Sequence, residues 1–260
     1  MSRIADQRLL FIGLDDTDTL ASRGTGHLAR RIAAVLAANY SMLGVTRHQL
    51  LVDPRVPYTA KNSSVAIVLQ TSRCFEANGL ATHVQALVRE YFNPGSDPGL
   101  CIGSRVPGAI TTFGRRVQQG VVTQEEARTL AAAHGIPLIG LGGTEDGVIG
   151  ALAAVGLAAG GDDGRYVMVG RMRELSGLQS VDAVLAAGVA DVRTVDGRPV
   201  TKGLILTDKL RPARRGAEPI AVVEWSPGLG EGACPQTGEG ACPEPGEGWS
   251  SGYWRPLKLD

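Results

Sequence analysis

The chain has 260 residues, 43% of them hydrophobic and 20% charged, enough for a sizeable core in one large or two small domains. Lys plus Arg and Asp plus Glu each number 26, so the net charge of +0 argues against a wholesale electrostatic nucleic-acid binder and leaves room for a local basic face. Cys74, Cys101, Cys234 and Cys242 form no CxxC pair and stand apart from the four histidines, which argues against zinc. No charged-then-apolar leader opens the chain, and the run Leu9 to Leu14 is far too short to span a bilayer. A cytoplasmic protein with no membrane partner is the expectation.

In chain order, Leu9 to Leu14 reads as a buried strand that ends in a polar cluster. Gly26 to Ala38 reads as a helix, with Leu28, Ile32, Val35 and Leu36 as its apolar stripe. A strand is expected over Gly44 to Leu51. Pro54 and Pro57 then break the pattern before the strand "SSVAIVLQ". Residues 75 to 92 carry a helical stripe through Leu80, Val84, Leu87, Val88 and Phe92, stopped by "NPGSDPG". "LCIG" reads as a short strand and Ala109 to Gln119 as a helix. "TQEEARTLAAAHG" is a well-signalled helix: Thr123 caps it, Glu126 completes a capping box and Gly135 stops it. The strand "IPLIGL", the loop "GGTEDG" and the small-residue helix "VIGALAAVGLAA" follow. Beyond them come a strand in "RYVMVGRM", a helix in "SVDAVLAAG" capped by Ser180 and a hairpin turning at Asp196-Gly197. "GLILTD" and "PIAVVEW" read as further strands. Strands and helices alternate with several short strand-to-strand connections, so the class is mixed α/β (α+β) and not a purely parallel sheet. Residues 226–252 hold near-copies of "GEGACP" and read as a low-complexity insert, with the tail docking back through Tyr253 and Trp254.

Four stretches carry candidate chemistry. In "GLDDTDTLASRGTGHL", Asp15, Asp16 and Asp18 crowd together directly after the buried strand. A bound divalent cation would relieve their repulsion; exposure to water would relieve it too. Gly24 and Gly26 bracket Thr25 where a helix begins, a place where backbone amides can receive a phosphate. His27 is either an acid–base group or a solvent-facing helix-start residue. "GLGGTEDG" (Gly142, Gly143 and Gly147) is a second glycine-rich loop before a helix, read as an anion cradle or as a turn for tight helix packing, with Glu145 and Asp146 as ligands or helix-start acids. Lys61 precedes a strand and is placed to meet a phosphate or simply to sit in a turn. "TDKLRPARR" gathers Lys209, Arg211, Arg214 and Arg215 as a phosphate-tracking strip or a solvated edge.

Three of these stretches, in order, resemble the archaeal tRNA(Ile) agmatidine synthetase family. The aspartate motif is similar to that family's Gly-Ile-Asp-Asp-Thr-Asp-Ser opening; the spacing from Asp15 to Thr25 is kept, and Thr25 falls on the first threonine of its Thr pair. "VPYTAKNSSVAI" resembles its Pro-Trp-Lys-Thr-Arg-Gly-Asn-Gly-Ala segment, with Lys61 where arginine is usual. "DGVIGALAAVG" is similar to its Gly-Leu-Ile-Gly-Ala-Leu-Ala-Ala-Ile-Gly segment. The resemblance implies a kinase-like N-terminal domain with a ferredoxin-like second part, with ATP and Mg²⁺ as cofactors. Asp15, Asp16 and Asp18 would hold metal and triphosphate, and Thr25 would be phospho-acceptor or phosphate contact. Thr17, Gly24, Gly26, His27, Lys61, Gly142, Gly143 and Gly147 are expected around the nucleotide. It further implies a ligase-type phosphoryl-transfer enzyme that activates an acceptor such as a tRNA cytidine for attack by a small-molecule amine. The expected partners are thus tRNA or another RNA, and an amine. The family's OB-fold and zinc ribbon find no room in this chain. A small-molecule kinase or ligase, and a non-catalytic nucleotide- or RNA-binding module, are the alternatives. The expected organisation is an ATP/Mg core over residues 1–164, continuous or discontinuous, a ferredoxin-like part over 165–225, the insert over 226–252 and a tail over 253–260.

Overall fold

The computed structural model describes residues 8–59, 61–71, 77–227 and 252–257. These fall into two compact units: the residues up to Met168 together with Arg214–Ala217, and Val169–Ala213 together with those from Glu218 on. The "GEGACP" repeats, Cys74, Cys234 and Cys242 lie outside the described residues.

In the first unit, β1 (Arg8–Asp15), β2 (Ser41–Gln49), β3 (Ser63–Thr71), β4 (Gly99–Gly103), β5 (Leu138–Gly140) and β6 (Arg165–Met168) form a sheet in the order β5-β4-β1-β3-β2-β6. Every neighbouring pair in it is antiparallel. Helices α1 (Thr25–Leu36) and α2 (Ala77–Tyr91) cover one face, packing on Leu10, Ile12 and Leu14 of β1. Helices α3 (Gly108–Gln119), α4 (Gln124–Ala133) and α5 (Gly147–Gly160) cover the other, against Phe11, Ala66 and Val68. Side chains alternate across a strand, so a strand covered on both faces must be apolar at every position. That is why β1 reads as an unbroken apolar run.

The helices follow local signals closely. The Glu126 amide donates to Thr123 Oγ1 at 3.2 Å, and the Thr123 amide donates to Glu126 Oε2 at 2.8 Å, completing the capping box of α4. In α1, Leu28, Ile32 and Leu36 are buried as expected, whereas Val35 is exposed. Arg31 stacks over the Tyr91 ring at 3.8 Å, joining α1 to α2. Helix α5 is buried on nearly every side, as its uniformly small and apolar sequence requires. A side chain at Gly13 would strike the Ala151 carbonyl, so glycine lets α5 lie directly on β1.

The second unit contains β7 (Leu178–Ser180), α6 (Val181–Ala186), β8 (Asp191–Thr194) and β9 (Leu204–Leu206). After β10 (Ala213–Arg215), which lies beside β6, come β11 (Glu218–Pro227) and β12 (Gly252–Pro256). The strand order is β8-β11-β12-β9-β7, with β11–β12 and β7–β9 antiparallel and β8–β11 and β9–β12 parallel. The composition of this part is thus α+β. Ser180 caps α6 through the Ala183 amide at 3.1 Å. The Asp196-Gly197 turn forms, with Gly197 at φ 83, and the return makes a single bridge between Arg193 and Pro199, bracketed by the Thr194 amide on the Arg198 carbonyl at 2.9 Å and the Val200 amide on the Val192 carbonyl at 2.8 Å. Trp254 of β12 meets Trp225 of β11 edge-on at 5.1 Å, so the tail docks as a strand.

Candidate active site at the end of β1

The last residue of β1, Asp15, opens a tight loop. Asp16 adopts φ 49, a left-handed conformation that aspartate tolerates better than bulky residues. The turn brings Asp18 back to the start of α1, where its Oδ1 accepts from the Thr25 amide at 3.0 Å and the Thr25 hydroxyl at 2.8 Å. Buried Thr17 donates its hydroxyl to Thr25 Oγ1 at 3.1 Å. Asp18 Oδ2 accepts from Thr59 Oγ1 at 3.0 Å, which ties the β2–β3 connection to the acidic loop.

These residues open onto a cleft of about 110 Å³. Its polar side is formed by Asp15, Asp16, Asp18, Thr25, Lys61 and Asp146. Burial, and then the charges of Asp16 and Asp18, push the Asp15 carboxyl up to about 8 against a smaller opposing pull from the Asp16 backbone. Burial followed by Asp97, Asp18 and Asp146 raises Asp16 to about 6. Asp15 is therefore largely protonated at neutral pH, the cheapest response to a buried like-charge cluster. Its carboxyl lies against the backbone of α5 at Gly150, where any side chain would displace it.

Among the described residues, no three His, Cys, Asp or Glu side chains converge to enclose an ion by themselves. Mg²⁺ ordinarily takes one or two carboxylates and completes its shell with water and phosphate oxygens. Asp15 and Asp16, both held in an unfavourable charge state, are a donor pair that suits such an ion. Asp18 differs: its oxygens already hold Thr25 and Thr59 in place.

In both glycine-rich loops several amides already have acceptors. At the first, the Thr25 amide is held by Asp18 and the His27 amide by the Gly24 carbonyl at 2.7 Å. Gly24, Gly26, Thr17 and His27 do not line the cleft. At the second, the Thr144 amide donates to Asp97 Oδ1 at 2.6 Å, and the Gly147, Val148 and Ile149 amides donate to backbone carbonyls at 3.1–3.2 Å. Of its glycines, Gly147 reaches the cleft, while Gly142 and Gly143 do not. Close packing accounts for Gly147, which lies against the Asp97 and Asp15 carbonyls, and φ 60 beside the Asp97 carboxylate accounts for Gly143. His27 sits beside Arg23 at 3.1 Å, and partial desolvation together with Arg23, Arg30 and Arg31 holds its imidazole below the usual range.

The basic strip is likewise corrected at Arg214. This residue is 3% exposed, and its guanidinium donates to the carbonyls of Ala158 and Ala217 and to the Tyr166 hydroxyl. It fastens the end of α5 to β6 and is closed to a phosphate backbone. Cys101 is buried, and burial pushes its thiol far up, so it is inert.

Sequence reasoning gave little weight to Asp97, Thr59 and Tyr58. Asp97 lies in "NPGSDPG", read as a helix stop alone; here it pins the loop before α5. Gln124 of α4 adds a second brace, donating to Asp146 Oδ1 at 2.6 Å.

No family model matches the chain. The isoleucine-tRNA 2-agmatinylcytidine synthetase TiaS of Cenarchaeum symbiosum (strain A) is 26% identical over 152 residues, which is 58% of this chain and 34% of that protein. Among solved structures, a tRNA fluorescent labeling enzyme matches with TM-score 0.50 and 24% identity, covering 57% of this chain and 36% of that one. A complex of TiaS with its isoleucine tRNA and ATP matches with TM-score 0.50 and 23% identity over the same shares. The chain spans about a third of the length of these relatives. No helix among the described residues is long and apolar enough to cross a membrane. Over a little more than half of its length, the chain is similar in sequence and in fold to the isoleucine-tRNA 2-agmatinylcytidine synthetases.

Proposed function

We propose that the cleft binds a magnesium-complexed nucleoside triphosphate and performs phosphoryl transfer in a ligase-type reaction that joins a small amine to an RNA acceptor, a tRNA cytidine being the first candidate. The observation that carries this reading is the meeting of Asp15, Asp16, Asp18, Thr25 and Lys61 in one cleft. It is supported by similarity to proteins named for 2-agmatinylcytidine synthesis, one of them solved with tRNA and ATP.

In this reading Asp15 and Asp16 hold the metal. When bound, Mg²⁺ offsets charge that builds on the phosphoryl oxygens and aligns them. Lys61 supplies a cation on the same side of the cleft. Asp18 Oδ1 holds the proton of the Thr25 hydroxyl and fixes that oxygen's position, as phospho-acceptor or phosphate contact. Phosphoryl transfer asks little covalent work of the protein, so positioning and charge compensation are the main tasks.

The test is Mg²⁺-dependent ATP turnover over a panel of RNAs and amines. Asp16→Asn is expected to lower the rate about 100-fold or more, because metal charge stabilisation is worth several kcal/mol. Wild-type turnover in a folded Asp15→Asn, Asp16→Asn double variant sinks the proposal. ATP binding with no product from any acceptor leaves a nucleotide-binding module instead.

A further inference from the structure

The cleft lining is of two chemical kinds. One is acidic, with Asp15, Asp16, Asp18 and Asp146. The other is an apolar lip of Leu51, Val56, Tyr58, Val121 and Val122. Tyr58 and Val121 of this lip are 45% and 48% exposed. Tyr58, Val56, Leu51 and Val121 belong to neither hydrophobic core of the first unit. Large apolar side chains left in water at the mouth of a polar cleft mark a ligand contact.

The lip is also braced. The Leu50 amide donates to the Asn62 carbonyl at 2.9 Å and Asn62 Nδ2 to the Leu51 carbonyl at 2.7 Å, closing the neck of the β2–β3 connection. The Val56 amide donates to the Asp53 carbonyl at 3.0 Å. Thr59, next to Tyr58, donates to Asp18. Tyr58 is thereby held one residue from a hydrogen bond to the acidic lining.

A ligand that uses both kinds of lining is anionic and metal-complexed in one part and flat and uncharged in another. A lipid or an aliphatic chain uses the lip and has no use for the acids; a bare polyphosphate uses the metal and leaves the lip wet. We infer that Tyr58 is the stacking platform for the base of the bound nucleoside triphosphate, and so the residue by which this cleft prefers a nucleotide over bare polyphosphate. The inference rests on the function proposed above. Base–aromatic stacking tolerates any base, so Tyr58 sets the preference for a nucleoside without choosing which.

The experiment is calorimetry with Mg²⁺ present, titrating ATP, inorganic tripolyphosphate and a single-stranded cytidine-containing oligonucleotide into the full chain and into its Tyr58→Ala and Tyr58→Phe variants. Tyr58 is exposed, so both variants are expected to fold; thermal melts check this. The wild type is expected to bind ATP more tightly than tripolyphosphate. Tyr58→Ala should weaken ATP about ten-fold and leave tripolyphosphate unchanged, while Tyr58→Phe keeps the preference. Equal loss for both ligands, or no loss for either, overturns the stacking role while the proposed function stands. Loss confined to the oligonucleotide overturns the assignment to the nucleotide's base. A wild type that binds neither ATP nor tripolyphosphate overturns the proposed function and this inference together.

Discussion

Asp15 is the residue whose charge state is most at odds with its place. Its folded pKa of about 8 lies above the ordinary 3.8, so the folded state holds a proton that the unfolded chain has lost. The favourable contribution of that proton is complete below the ordinary value and disappears as pH rises through the folded one. Without divalent cations, the melting temperature is therefore expected to fall between about pH 4 and pH 8, and Asp15→Asn to flatten that slope, as read by melts across pH. A wild-type slope unchanged by Asp15→Asn contradicts the burial argument. The aspartate cluster was legible in the sequence because like charges after a buried strand demand an explanation. The separate role of Asp18 was not, because it depends on where the chain returns: Thr25 and Thr59 become its partners only once the loop closes and β3 lies beside β1.

At the scale of elements, the packing of α5 on β1 sets the site. Gly150 touches the Asp15 carboxyl, so Gly150→Ala should displace that carboxyl, reduce Mg²⁺-dependent turnover by ten-fold or more on the metal-ligand argument, and lower stability, since the new methyl overfills a packed contact. Thr123→Ala, which removes the α4 cap, is expected to cost about 1 kcal/mol in urea denaturation. Elements signalled by near neighbours were readable in advance: β1 by its apolar run, α4 by its capping box, the α4 stop by Gly135 at φ 61. The glycine-rich loop before α5 was ambiguous because a phosphate cradle and a close helix contact use the same residue. The partner that takes one of its amides, Asp97, stands 47 residues from Thr144 in sequence and was not foreseen. Strand β10 was hidden because "ARR" reads as surface, and a buried arginine announces itself only through its acceptors.

For the molecule as a whole, net neutrality conceals an uneven distribution: acids gather in the cleft, while Arg214 is spent inside the first unit. Arg214→Ala removes the guanidinium's bonds to the Ala158 and Ala217 carbonyls and leaves a void where a buried side chain stood, and should cost about 3 kcal/mol in denaturant unfolding. The salt dependence of any RNA binding should not change with it, which separates a structural arginine from a phosphate contact. The mixed α+β class followed from the alternation of elements and short connections. A discontinuous core was left open by the sequence, but which segment returns was not legible, because the return of Arg214–Ala217 rests on contacts made by Gly161, Gly164 and Tyr166.

The most direct measurement is the proton balance of nucleotide binding, read by titrating ATP at pH 7 in buffers of different ionisation enthalpy, with and without Mg²⁺. If a metal-bound triphosphate settles against Asp15 and Asp16, binding requires Mg²⁺, releases protons from the wild type, and releases fewer from Asp15→Asn. ATP binding that is indifferent to Mg²⁺, or that leaves the proton count unchanged in both proteins, contradicts the account.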